Sequence, residues 1–235
     1  MKKHEKEISG VSHNQRKKAG QGLTTTDSAV ETAERKRSSF RENAEAVLVA
    51  VLLALVIRTF VVQAFKIPSG SMKPTLQVGD HILVNKFAYG VDIPFFEVAL
   101  IPGDHPERGD VVVFKYPEDP RKDFIKRVVG VGGDVVSIRN KQVYVDQAPV
   151  SEKYIMHTDP RMAAVRDNMA PVRVPPGKLF VMGDNRDNSH DSRFWGFVDE
   201  DEVLGSAFLI YWSWDGRGEG LLDHVRWGRI GDFIQ

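Results

Sequence analysis

The sequence predicts a mainly β protein carried behind a single N-terminal transmembrane helix. Three observations predict it. One apolar run, near the N-terminus, is long enough to cross a bilayer. After it come seven short stretches rich in Val, Ile and aromatics, punctuated by Gly, Pro and Asp. No other segment carries a convincing long amphipathic helical period. The 235 residues, 42% hydrophobic and 27% charged, suit one domain plus an appendage rather than a polytopic membrane protein.

Residues 1–43 are polar, with ten Lys/Arg against six Asp/Glu, and show no apolar period. They read as a disordered basic tail that cannot bury enough surface to fold alone. Residues 44–65 read as the anchor. Twenty-two helical residues at ~1.5 Å each reach roughly 33 Å, about one hydrocarbon core. Glu45 and Gln63 fall at its ends, and Arg58 lies near enough to the far end to snorkel. Arg35, Lys36, Arg37 and Arg41 precede the run, whereas Lys66 and Lys73 follow it. The positive-inside rule therefore places the N-terminus in the cytoplasm and the body outside. A buried core helix and a cleaved signal peptide are the rivals. No other segment is apolar enough to surround the former, and the 43-residue leader argues against the latter.

Residues 66–235 form the β-rich body. Strands are expected at His81–Phe87, Asp110–Lys115, Phe124–Val131, Val135–Ile138, Gln142–Val145, Leu179–Met182 and Ser206–Trp212. Arg139-Asn140-Lys141 reads as a hairpin turn. Residues 151–172, polar with scattered Met and Pro, read as an excursion from the sheet. Val225 to Ile234 could be a strand, a helix or an interfacial segment.

Composition narrows the chemistry. Lys plus Arg equals Asp plus Glu at 32 each, so nothing global marks a nucleic-acid binder. There is no cysteine, which removes disulfides, thiolate metal sites and Cys nucleophiles. No zinc spacing, nucleophile elbow or phosphate-binding glycine loop occurs. No metal or cofactor is expected.

Three segments stand out. In Pro68-Ser69-Gly70-Ser71-Met72-Lys73-Pro74-Thr75-Leu76, prolines stiffen a loop whose glycine admits close approach of a ligand to the backbone. A serine there can offer its hydroxyl and its N–H to one carbonyl, although such clusters are more often plain turns. In Phe124-Ile125-Lys126-Arg127-Val128-Val129, the strand period of two puts one cation on each apolar face. A lysine desolvated in that way loses proton affinity and becomes usable as a general base, unless it snorkels to water from an edge strand. Gly183 to Arg193 is a dense polar loop directly after a strand. Its three Asp lack calcium-loop spacing.

Together, the anchor, Ser69-Gly70-Ser71-Met72, Arg108-Gly109-Asp110-Val111-Val112, Ile125-Lys126-Arg127 to Gly133-Asp134, and Gly183 to Gly196 resemble the bacterial type I signal peptidases. The resemblance spans almost all of residues 44–215. It implies a serine endopeptidase that removes signal peptides from secreted precursors, cutting after small residues of A-x-A type. Ser71 matches the nucleophile and Lys126 the general base. Ser69, with the Ser71 N–H, matches the oxyanion hole. Ser189 matches a residue that orients the lysine amine. Asp191 and Arg193 match a supporting ion pair, and Asp184 is expected to pair with Arg127. Ile67, Met72, Leu76, Phe124 and Ile125 are expected to line the substrate pockets. His190 has no implied role. The implied setting is the bacterial inner membrane, with lipid and precursors as partners and neither metal nor nucleic acid. Ser71 stands six residues beyond Phe65, at most roughly 20 Å along an extended chain, so the site would face the outer membrane surface.

Overall fold

The computed structural model describes residues 43–55, 61–93, 96–101, 103–216 and 224–235. Two units are present, Met1–Leu55 and Val56–Gln235. In the first, residues 43–55 form helix α1 with an exposed, largely aliphatic surface. Among the described residues, no helix is long and apolar enough to cross a membrane. The basic tail falls outside the described residues.

The second unit is built on antiparallel strands. A seven-stranded sheet runs in the order β1 (Val62–Lys66), β2 (Asp80–Asn85), β13 (Val203–Ser213), β5 (Val111–Tyr116), β6 (Asp119–Gly130), β11 (Lys178–Met182), β12 (Val198–Asp199). A four-stranded sheet holds β10 (Met169–Arg173), β7 (Val135–Arg139), β8 (Gln142–Val145) and β9 (Ala148–Pro149). A separate hairpin joins β3 (Val91–Ile93) and β4 (Phe96–Ile101). The body is thus mainly β.

One boundary differs from the sequence reading. Val62 to Phe65, assigned to the anchor, are strand: Val62 pairs with Asn85 and Phe65 with Ile82. Val, Ala and Phe satisfy a helix or a strand equally by hydrophobicity. Here the edge of β2 supplies their backbone partners, and the helix cannot extend through them.

The central strands are buried on both faces, which explains why they read as near-continuous apolar runs. Alternate residues of β5 feed different clusters. Val111 and Val113 pack with Met72, Leu76, Ile82 and Ile210, while Val112 and Phe114 pack with Val128, Leu179 and Val181. A third cluster, with Val129, Phe180 and Met182, joins the main sheet to β7 and β8. The β7–β8 hairpin closes on Asn140 and Lys141, both at positive φ (48° and 69°). That is the signature of a two-residue primed turn, whose twist matches the strands.

Candidate active site

Lys126 lies within β6, opposite Val112 of β5. The central position of the strand buries it to 4% exposure. Loss of hydration pulls its pKa down to about 8, and the nearby Asp191 and Asp184 carboxylates only partly oppose this. Its Nζ stands 3.1 Å from Ser71 Oγ and 2.9 Å from the Ile125 carbonyl oxygen.

Ser71 sits in the loop between β1 and β2, half-buried, and Ser69 is exposed beside it. Their hydroxyl oxygens are 3.5 Å apart. The loop is fastened by its apolar residues: Met72 and Leu76 are fully buried, and Leu76 N–H donates to the Met72 carbonyl at 2.8 Å. Among the described residues, nothing accepts from the Ser71 N–H.

The loop after β11 braces this site from behind. Asp184, fully buried, accepts from Arg127 Nε at 2.9 Å and Nη2 at 2.8 Å. Thr75 Oγ1 donates to the same carboxylate at 2.5 Å. Asp191 accepts from Arg193 Nε and Nη2, both at 2.8 Å, and from the Gly183 N–H at 3.1 Å. It also caps the short helix α2 (Ser192–Trp195) through the Arg193 N–H. Asn185 reaches the nucleophile's own main chain. Its N–H donates to the Ser71 carbonyl at 3.0 Å, and its Nδ2 donates to that of Gly70 at 3.1 Å.

The structure therefore brings Ser69, Ser71 and Lys126 together and places both ion pairs behind them. Two expectations need correction. Ser189 does not hydrogen-bond the lysine: its Oγ is buried without a partner among the described residues. It packs instead against Gly183, where a β-carbon would stand 2.3 Å from that oxygen. Met72 and Leu76, at 0% exposure, have no surface to offer a substrate, and Ile67 retains 2%. Their apolar side chains complete the core under the loop. Only Phe124 and Ile125 of the expected pocket residues are half-exposed, with the Phe124 ring 5.3 Å from Lys126 Nζ.

Asn185, Thr75 and Gly183 were not singled out from the sequence. All three lie inside the two polar loops that were, but Thr75 and Asn185 find partners about 110 residues away in the chain, which leave no local signal.

The sequence profile of the family described as signal peptidase, peptidase S26, matches residues 40–212. Signal peptidase I of Pseudomonas aeruginosa is 42% identical over 197 residues, covering 70% of this chain and 69% of that protein. Signal peptidase I of Pseudomonas fluorescens is 41% identical over 216 residues, covering 77% and 75%. A crystal structure of a signal peptidase I from Enterococcus faecalis aligns at a TM-score of 0.36 and 28% identity, over 44% of this chain and 97% of the other. The chain is a serine peptidase, and so a hydrolase. It belongs to the signal peptidase family, peptidase S26.

Proposed function

We propose that this chain removes signal peptides from precursor proteins at the outer face of the bacterial inner membrane, with Ser71 as nucleophile and Lys126 as general base. The contact between Ser71 Oγ and the buried Lys126 amine, 3.1 Å, carries the reading. With a pKa of about 8, roughly one lysine in ten is neutral at pH 7. The neutral amine accepts the Ser71 hydroxyl proton as Oγ attacks the scissile carbonyl carbon. The carbonyl oxygen gains the negative charge, and the Ser71 N–H and Ser69 hydroxyl stabilise it. A donor of that kind is worth about 2.7–4 kcal/mol in other hydrolases.

Collapse of the tetrahedral species breaks the C–N bond. The lysine ammonium gives its proton to the departing amine, leaving the acyl group on Ser71 Oγ. Water, deprotonated by the same amine, then attacks the ester and restores the serine. Asp184–Arg127 and Asp191–Arg193 hold the loop behind the site and act through geometry. Phe124 and Ile125 form walls for the residues before the cut, which favours small side chains there.

The apolar segment beginning at Ala44 anchors the chain, with its N-terminus cytoplasmic, and lipid is the second partner. Confinement of enzyme and precursor to one membrane raises their effective concentration.

The test is cleavage in detergent of a purified precursor bearing an A-x-A site. Wild type should cut after the second Ala, and Ser71→Ala and Lys126→Ala should not. Cutting by either variant at the wild-type rate would refute the dyad.

A further inference from the structure

No hydrogen bond or ion pair joins residues 151–157 to the side chains of Ser71 or Lys126, yet they run beside the loop that braces both. Met156 and Asn185 form a parallel bridge. Met156 N–H donates to the Asp184 carbonyl at 2.9 Å, and Arg186 N–H donates to the Met156 carbonyl at 3.1 Å. The segment turns at Lys153 and Tyr154, and two of its side chains, Glu152 and Tyr154, also reach the residues of that loop or their partners. The Glu152 carboxylate, whose side chain is 2% exposed, accepts from Arg186 Nη1 at 2.7 Å and also from Nη2. The Tyr154 hydroxyl donates to Glu152 at 3.3 Å. The Tyr154 ring covers the Arg127 guanidinium, 3.9 Å from the ring centre. That guanidinium grips Asp184 on its other edge.

Three consecutive loop residues are thereby tied to one segment. Asp184 is held through its carbonyl and through Arg127, and Arg186 through Glu152. Asn185 lies between them, and Asn185 is the residue whose N–H and Nδ2 hold the Ser71 and Gly70 carbonyls.

We propose that Glu152, Tyr154 and Met156 form a positioning clamp that fixes Asn185, and through it sets the Ser71 Oγ to Lys126 Nζ distance. This inference rests on the Ser71–Lys126 reading above. Glu152 and Tyr154 are positioning residues, since neither touches the reacting atoms. The leverage is physical: misplacement of a reacting group by about 1 Å costs on the order of a hundredfold in rate.

The experiment uses the full chain in detergent and measures kcat and KM on a precursor, with circular dichroism and melting as checks on folding. Tyr154→Leu leaves no buried charge unpaired and is the primary variant, with Glu152→Gln beside it. Each should lower kcat by about ten- to a hundredfold, with KM changing less than about twofold. Lys153→Ala, at an exposed neighbouring position, should leave both constants unchanged. The decisive readout is coupling. Tyr154→Leu added to Asn185→Ala should cost less than the product of the two single losses, because Asn185→Ala removes the Nδ2 part of the constraint that the clamp sets and leaves the N–H part.

A folded Tyr154→Leu with wild-type kcat, or losses that multiply in the double variant, would overturn the clamp. If Glu152→Gln does not fold, Tyr154→Leu and its double variant decide alone. Ser71→Ala separates the two readings. If it is inert while Tyr154→Leu is normal, only the clamp fails. If Ser71→Ala cuts normally, the dyad fails and takes the clamp with it.

Discussion

Gly183 and Ser189 are packed so closely that no side chain fits between them. A β-carbon on Gly183 would stand 2.3 Å from Ser189 Oγ and 2.5 Å from the Ser71 carbonyl oxygen. The second obstacle is main chain of the nucleophile itself and cannot swing aside. Gly183→Ala must therefore push the Ser71 loop away from β11. The expected result is a folded body, because two of the three apolar clusters contain no residue of the Ser71 loop, with cleavage reduced by about a hundredfold or more. Cleavage assays alongside circular dichroism check this. Near-wild-type activity would mean that the loop tolerates displacement.

The burial of Lys126 makes a pH prediction whose sign is fixed. Its folded pKa of about 8 lies below the ordinary lysine value of 10.5. The neutral base is scarce below pH 8 and abundant above it, so kcat/KM should climb with pH and level off near that value. Stability follows the same ion. Between about pH 8 and 10.5 the unfolded chain binds more protons than the folded one, so stability rises with pH across that window. Below it, the buried ammonium carries a constant cost. Lys126→Met removes that cost and should stabilise the fold at neutral pH by up to about 3 kcal/mol while abolishing cleavage. Urea midpoints at pH 7 test the first half and precursor assays the second. A destabilised Lys126→Met would contradict the burial argument.

The Asp184–Arg127 pair predicts opposite results for breaking it and replacing it. Both side chains are at most 1% exposed. Asp184→Ala leaves a buried guanidinium without its carboxylate and should cost about 3–5 kcal/mol. Arg127→Met combined with Asp184→Leu removes both charges together and should recover most of that loss. Activity should not recover with it. The Thr75 hydroxyl loses its acceptor, and the Gly109 carbonyl loses the Arg127 Nη1 that donates to it at 2.7 Å. Denaturant midpoints and kcat of the two variants make the comparison.

Much of this was legible in the sequence because the central strands carry their own signals. Runs such as Val111 to Phe114 are apolar on both faces, and the glycine turns at Gly109 and Gly133, both at positive φ, mark where the strands stop. Ser71 and Lys126 stood out because each breaks a local pattern, a hydroxyl in a stiffened loop and a cation among apolar residues. What escaped is decided by distant partners. Val62 to Phe65 look the same in a helix or a strand until the edge of β2 chooses. Residues 151–157 have no apolar period, since ion pairs and a single bridge to the 184–186 loop set their course. Met72 and Leu76 flank the nucleophile in sequence but turn inward.

The C-terminal segment supplies a last prediction, through Asp80 and Arg229. Asp80 is fully buried at the start of β2. Burial alone would raise its pKa. Arg229, the Gln77 N–H at 2.7 Å and the Ser213 hydroxyl at 2.6 Å together outweigh that and bring it below the ordinary value of 3.8. Arg229 Nη2 donates to Asp80 at 2.6 Å and to the Thr75 carbonyl at 2.8 Å, so it staples the end of the chain to the turn that follows Ser71. A carboxylate with a depressed folded pKa stabilises the protein above its unfolded value, and that stabilisation drains as pH falls through the folded value. Wild type should therefore keep this contribution to its urea midpoint above the ordinary carboxylate value of 3.8 and lose it progressively below that value. Arg229→Met strands Asp80 without its cation and should cost about 3–5 kcal/mol at pH 7. Its carboxyl then protonates at higher pH, so its acid transition should move upward. Asp80→Asn in the Arg229→Met background removes the stranded charge and should recover part of the loss. If Arg229→Met has the wild-type midpoint at both pH 7 and pH 4, the staple contributes nothing to the fold.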